Sequence, residues 1–173
     1  IKDKNDSEPI SYGLNSKLIR NKDGKLEEKV YKLGGMYSKA IEPIIYWLGK
    51  AVEVAENEAQ KKGLELLIEY YRTGNLETWD EYNIVWAGAT EGDIDYINSF
   101  IEVYNDPKAY TGSFESIVEI KDFEASARMK TLEEKVQWFE DNSSIMDEHK
   151  KENVTGVTYK VVNIAGGSGD ASP

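Results

Sequence analysis

Apolar residues recur at three- and four-residue steps in the first half of the chain. Between residues 38 and 61 they stand at Ile41, Ile44, Ile45, Leu48, Val52 and Ala55. This period predicts a helix with one buried face over 38–61. Lys62-Gly63 is expected to separate it from a second helix over 64–73.

Further helices are predicted from capping signals and apolar spacing. Gly74 is expected to end the second helix, and Asn75 to cap a third helix over 76–87. A fourth helix is predicted over 123–141, on a rough apolar face that includes Phe123.

Other segments have the composition of strands. A hairpin is predicted from residues 12–20 and 25–33, which flank the turn sequence Asn-Lys-Asp-Gly. Aromatic and β-branched residues predict strands over 95–104, 113–120 and 157–164. The expected fold class is therefore α+β, rich in helix, with a small and mostly antiparallel sheet.

Composition excludes several classes of function. The chain of 173 residues has no cysteine, which excludes disulfides, thiolate metal sites and a cysteine nucleophile. Its one histidine, His149, lies among charged residues and is expected to be solvated. The formal net charge of −11 makes nucleic acid a poor partner, and no apolar run approaches the roughly 20 residues of a membrane helix.

The two ends of the chain indicate a piece of a longer polypeptide. The chain starts at Ile1, and a strand-like apolar run leads into the Gly-rich residues 165–173. We expect 1–173 to form a single fragment domain, in which 1–9 and 166–173 are flexible.

The segment 100–107 holds the most informative candidate chemistry. On a strand, Glu102 and Tyr104 share one face, while Ile101 and Val103 share the other, which is a core face. If the first face lines a cleft, Glu102 could bind an ammonium group and Tyr104 could hydrogen-bond a peptide backbone. The spacing also fits an exposed strand face with ordinary polar residues, and spacing alone favours that interpretation.

The string from Tyr96 to Pro107, followed by Gly112 to Val118, is distinctive. It resembles the dipeptidyl peptidase III family of zinc metallopeptidases, and most of all the bacterial branch of that family. Further segments resemble the family in the same order along the chain, at residues 12–18, 34–37, 70–74 and 159–163. The chain is therefore similar to an internal part of a much longer enzyme.

The resemblance implies a two-lobed peptidase that removes N-terminal dipeptides from short peptides bound between its lobes. Glu102 matches the family's glutamate that holds the substrate amine, and Tyr104 the tyrosine that contacts the substrate backbone. Most of the chain would belong to the lobe opposite the zinc, with the helical segment 122–150 reaching toward the zinc lobe. The implied partners are a short peptide and the remainder of the parent polypeptide, whose cofactor is zinc.

The chain departs from the family in two respects. Ser99 stands where the family commonly has glycine, and the zinc motif His-Glu-x-x-Gly-His is absent together with its acid–base glutamate. We therefore assign no catalytic and no metal-binding residue in this chain. The isolated chain is predicted to hydrolyse nothing, because zinc-activated hydrolysis needs the metal.

Other expectations stand beside this one. The chain could instead be a stand-alone peptide-binding or adaptor domain that shares ancestry with the family and has lost the metal. An isolated fragment would expose apolar surface that the other lobe normally covers, so a homodimer through that surface is expected. The lack of cysteine fits our expected compartment, the cytoplasm, and fits the periplasm as well.

Overall fold

A computed structural model describes residues 12–154 and 160–169, and it confirms the α+β class. Its elements in chain order are β1 (Ser16–Arg20), β2 (Leu26–Val30), α1 (Ser38–Glu53), α2 (Glu58–Thr73), α3 (Leu76–Gly88), β3 (Ile94–Glu102), β4 (Ser113–Lys121), α4 (Phe123–Glu133), α5 (Val136–Asp141) and β5 (Val162–Ser168). A 3₁₀ turn, Asp147–His149, lies between α5 and β5. Over these two ranges, no helix has the length and apolar character needed to cross a membrane.

Two small antiparallel sheets contain the strands. β1 and β2 form the predicted hairpin, in whose turn the Asn21 side chain accepts hydrogen bonds from Asp23 N (3.1 Å) and Lys25 N (2.9 Å). The second sheet has the order β3-β4-β5, and both of its pairings are antiparallel. The small antiparallel sheet that the sequence predicts is thus divided into two.

The first helical region divides at a different place from the predicted one. α2 begins after Asn57, whose side chain accepts a hydrogen bond from Gln60 N (2.8 Å). The predicted break at Lys62-Gly63 is wrong, because Gly63 lies buried inside α2. A Cβ atom on Gly63 would lie 3.3 Å from the Tyr96 hydroxyl oxygen, so this glycine lets α2 approach β3 closely.

The boundary between α2 and α3 confirms the prediction. Gly74 takes a left-handed conformation with φ 71°, and its N–H donates a hydrogen bond to Tyr70 O (2.7 Å). The Asn75 side chain then accepts a hydrogen bond from Glu77 N (2.8 Å) at the start of α3. α2 and α3 pack against each other across this short connection.

The helix predicted over 123–141 is found as two helices. α4 begins after Asp122, whose side chain accepts a hydrogen bond from Ala125 N (2.8 Å). It ends where Lys135 N donates to Leu132 O (3.0 Å), a tighter spacing than that of an α-helix. No glycine or proline lies within 123–141, so the sequence carries no signal for this break.

Among the described residues, the last strand begins at Val162 and ends at Ser168, beyond the predicted end of the range 157–164. β5 runs beside β4 as far as Ser168, whose hydroxyl oxygen lies 2.8 Å from that of Ser116. Residues 166–168, which were expected in a flexible segment, are therefore part of the sheet. Residues 155–159 and 170–173, and the expected frayed segment 1–9, lie outside the described residues.

One hydrophobic cluster joins α1, α2 and α3 to β3. Its fully buried members are Ile41, Leu67, Tyr70 and Tyr71. The Tyr71 hydroxyl also donates a hydrogen bond to Asn98 Oδ1 (2.6 Å), which ties α2 to β3. This cluster holds the larger sheet against the helices.

Four tyrosines of α2, α3 and β3 make the fold sensitive to alkali. Burial raises the pKa of Tyr70 to about 12 and that of Tyr96 to about 12, and it also raises the pKa values of Tyr71 and Tyr82. Their contribution to stability is therefore complete below pH 10.0, the ordinary tyrosine value, and is lost as the pH rises through the raised values. We expect the tyrosinate absorbance of these four residues to appear above pH 10.0 and only together with a change in far-UV circular dichroism. Ionisation of all tyrosines near that pH in a chain that keeps its dichroism would contradict this burial.

Candidate functional site

The two residues that the sequence singles out lie where β3 ends. Glu102 is the last residue of the strand and is half-buried. Tyr104 lies in the turn beyond the strand and is 58% exposed, so the prediction that the strand continues to Tyr104 is wrong. Ile101 and Val103 pack against the hydrophobic core, as expected for the other face.

β3 contains one extra residue just before Glu102. Phe100 pairs with Phe114, but Glu102 pairs with Ser113, so the register shifts by one residue between the two pairs. Neighbouring residues of a strand point to opposite faces, and Ser113 and Phe114 are such neighbours. The bulge therefore places Glu102 on the face opposite Phe100, whereas a regular strand would place both on the same face.

Hydrogen bonds hold the backbone at the end of the strand. Ser113 Oγ donates to Glu102 O (3.0 Å), which joins the first residue of β4 to the last residue of β3. Asp106 N donates to Val103 O (3.0 Å) and closes a turn whose second residue is Tyr104. Tyr104 is thus held close to the end of the strand that carries Glu102.

An open groove of ≈ 820 Å³ begins beside this turn. Its rim includes residues 105–107 and Ser113, and its apolar walls are formed by Tyr31, Tyr37, Ile41, Ile44, Phe100 and Phe114. The Tyr31 ring centroid lies 4.9 Å from that of Tyr37 and 4.8 Å from that of Phe100. The sequence did not reveal the groove, because its walls come from segments that are far apart in the chain. The register places Phe100 and Phe114 of this wall on the opposite face of β3 and β4 from Glu102, whereas Ser113, which pairs with Glu102, lies on the rim of the groove.

Residues 11–148 match the sequence profile of peptidase family M49. The chain belongs to this family. The resemblance to dipeptidyl peptidase III seen in the sequence is thereby confirmed. No curated protein sequence matches this M49 chain significantly.

Two solved structures share the fold of this M49 chain. The chain is 26% identical to DPP III from Caldithrix abyssi, with a TM-score of 0.72, and the match covers 93% of this chain and 30% of that chain. It is 18% identical to dipeptidyl-peptidase III from Corallococcus sp. strain EGB, with a TM-score of 0.64, and that match covers 96% of this chain and 31% of the other. The M49 chain thus spans less than a third of the length of either relative.

The described part of the M49 chain does not form a metal site. Within residues 12–154 and 160–169, no three side chains of His, Asp or Glu come together in a group that could hold a metal ion. His149 is exposed as predicted, and its Nε2 lies 3.7 Å from a carboxylate oxygen of the adjacent Glu148. The described residues therefore do not fit a catalytic zinc ion, which requires three protein ligands around one point.

Proposed function

We propose that this chain forms part of the peptide-binding lobe of a zinc-dependent dipeptidyl peptidase. In this proposal the Glu102 carboxylate binds the free ammonium group of a short peptide, and the Tyr104 hydroxyl forms a hydrogen bond with the peptide backbone. Membership of family M49 and the similarity to DPP III from Caldithrix abyssi support the class of activity.

The observation that carries the proposal is the position of Glu102 at the end of β3. Because Glu102 is half-buried, water screens its attraction to an ammonium group less than on an open surface. Tyr104 follows two residues later, and its 58% exposed side chain is accessible from the solvent. A carboxylate that pairs with the terminal amine fixes the start of the peptide, so that cleavage falls at a constant distance from it.

In this proposal the chain supplies binding residues and not the metal. Zinc in the parent enzyme would activate the water that hydrolyses the peptide bond. Since the described residues do not fit zinc, we propose that its ligands lie elsewhere in the parent polypeptide. The approach of segment 122–150 to that lobe and the homodimer of the isolated chain stay predictions.

We expect the 173-residue chain alone to release nothing from dipeptidyl arylamides, with or without added zinc. The parent protein should release dipeptides from a tetrapeptide with a free N-terminus and not from its N-acetylated form, because acetylation removes the ammonium charge that Glu102 is proposed to bind. Chromatography of the products measures both results.

Two outcomes would contradict these expectations. Activity of the isolated chain above that of its Glu102→Ala variant would show that the chain is catalytic by itself. Equal hydrolysis of free and acetylated peptides by the parent would remove the proposed role of Glu102. A gene that encodes no His-Glu-x-x-Gly-His motif would favour the peptide-binding adaptor instead.

A further inference from the structure

Asp106 lies at the centre of the loop that joins β3 to β4. Its backbone N–H closes the turn that carries Tyr104, and its backbone carbonyl accepts a hydrogen bond from Ala109 N (2.8 Å). Ala109 has φ 54°, a left-handed conformation that residues other than glycine rarely adopt. The loop therefore has a strained shape that other contacts must maintain.

The Asp106 carboxylate accepts hydrogen bonds from three backbone amides of this loop. Oδ1 accepts from Lys108 N (3.1 Å), and Oδ2 accepts from Tyr110 N (3.0 Å) and Thr111 N (2.9 Å). The hydrogen bond from Thr111 N lowers the pKa of Asp106 most, and those from Lys108 N and Tyr110 N lower it further, so that it lies below its ordinary value. A charged acceptor shared by three donors strongly restrains the shape of the loop.

The far side of the loop is attached to the first residue of β1 and to the segment before it. Gly112 N donates to Leu14 O (2.7 Å), and Thr111 Oγ1 donates to Ser16 O (3.3 Å). Residues 111–112 are thereby fixed to another part of the fold. The Asp106 carboxylate links this fixed point to the turn that carries Tyr104.

We propose that Asp106 is a positioning residue for peptide binding, whose carboxylate holds the turn after β3 in the shape that presents Tyr104 beside Glu102. This inference rests on the proposed function, because it concerns the same site. Asp106 acts through Tyr104 and not through contact with the peptide. A turn that is already ordered loses less conformational entropy when the peptide binds, and so the affinity is higher.

Glu56 provides a matched control for a carboxylate that only stabilises the fold. Its side chain accepts hydrogen bonds from Asp93 N (3.1 Å) and Ile94 N (3.0 Å) at the opposite end of β3. Glu56→Gln and Asp106→Asn each remove one charge and one acceptor oxygen from a carboxylate that binds backbone amides. Glu56→Gln affects the start of β3, whereas Asp106→Asn affects the loop after its end, where Glu102 lies.

In the parent protein, we expect Asp106→Asn to raise the KM for an unblocked tetrapeptide by about tenfold and to leave kcat within about twofold of the wild type. Asp106→Ser, which keeps one hydroxyl oxygen as acceptor, should raise KM at least as far. Glu56→Gln should leave both constants unchanged at a temperature where all variants are folded. An unchanged KM in both Asp106 variants would overturn the proposal, as would an equal rise in Glu56→Gln.

Amide hydrogen exchange in the wild-type chain provides a test that needs no variant. We expect the amides of Lys108, Tyr110 and Thr111 to exchange slowly before any peptide is added, because the carboxylate already binds them. Exchange as fast as in an unstructured peptide would overturn the proposal.

The Glu102→Gln variant separates this proposal from the proposed function. If Glu102→Gln lowers kcat/KM and the Asp106 variants leave KM unchanged, only the positioning role is overturned. If Glu102→Gln also leaves kcat/KM unchanged, the proposed function fails, and the role of Asp106 fails with it.

Discussion

We expect Glu102→Gln to lower the kcat/KM of the parent protein for unblocked peptides by about 100-fold, equivalent to about 2.7 kcal/mol. The substitution keeps the size and shape of the side chain and removes its charge, so the peptide ammonium loses a charge-assisted hydrogen bond. The half-buried position of Glu102 makes this loss greater than that of an exposed ion pair. Initial rates with a tetrapeptide whose N-terminus is free measure the effect.

Glu119→Gln is the control for this experiment. Glu119 is also half-buried, and it lies on β4 opposite Asp95, at the far end of the same sheet. It should keep activity close to that of the wild type, because only the charge at the strand end beside Tyr104 is proposed to meet the peptide. Equal losses in both variants would assign the effect to net charge or stability, and full activity in Glu102→Gln would refute the site.

Local conformational demands explain the parts of the fold that the sequence predicts well. Gly74 ends α2 because it takes a positive φ, and Asn75 caps α3 through its own side chain. The turn after β1 likewise depends on Asn21 and on Gly24, which has φ 76°. Each of these signals acts over a few residues, so a single sequence contains all the information needed to interpret it.

Tertiary contacts explain the parts of the fold that the sequence predicts badly. The apolar period continues through Val52 and Ala55, and it hides the end of α1 and the cap of α2 at Asn57. Gly63 is needed for the approach of α2 to Tyr96, and a glycine in a single sequence is typical of helix ends as well. The choice between these two roles depends on which element packs against the glycine.

In the candidate site too, the sequence predicts the features that depend on local residues and misses those that depend on tertiary contacts. The residue types at 102 and 104 predict an acid and a phenol close together, and their exposure is compatible with binding. The bulge before Glu102 could not be predicted from β3 alone, because it is a property of the pairing with β4. The support of the turn by Asp106 depends on a loop whose left-handed residue is alanine, a type that gives no turn signal.

Gly112→Ala is expected to lower the free energy of unfolding by about 3 kcal/mol. A Cβ atom at this position would lie 2.6 Å from Phe100 O and 2.7 Å from Phe100 C, which are backbone atoms of β3 next to the bulge. They cannot move away without displacing the end of the strand that carries Glu102. Chemical denaturation of the 173-residue chain, followed by circular dichroism, measures the change.

Gly49→Ala is the matched control, because a Cβ atom there meets nothing within 4 Å and the residue lies inside α1. It should raise the free energy of unfolding by about 0.5–1 kcal/mol, since alanine loses less backbone entropy than glycine in a helix. If Gly49→Ala raises the free energy of unfolding and Gly112→Ala lowers it, the loss of stability at Gly112 is steric, because the chemical change is the same. A Gly112→Ala chain as stable as the wild type would mean that β3 and residues 111–113 do not approach so closely.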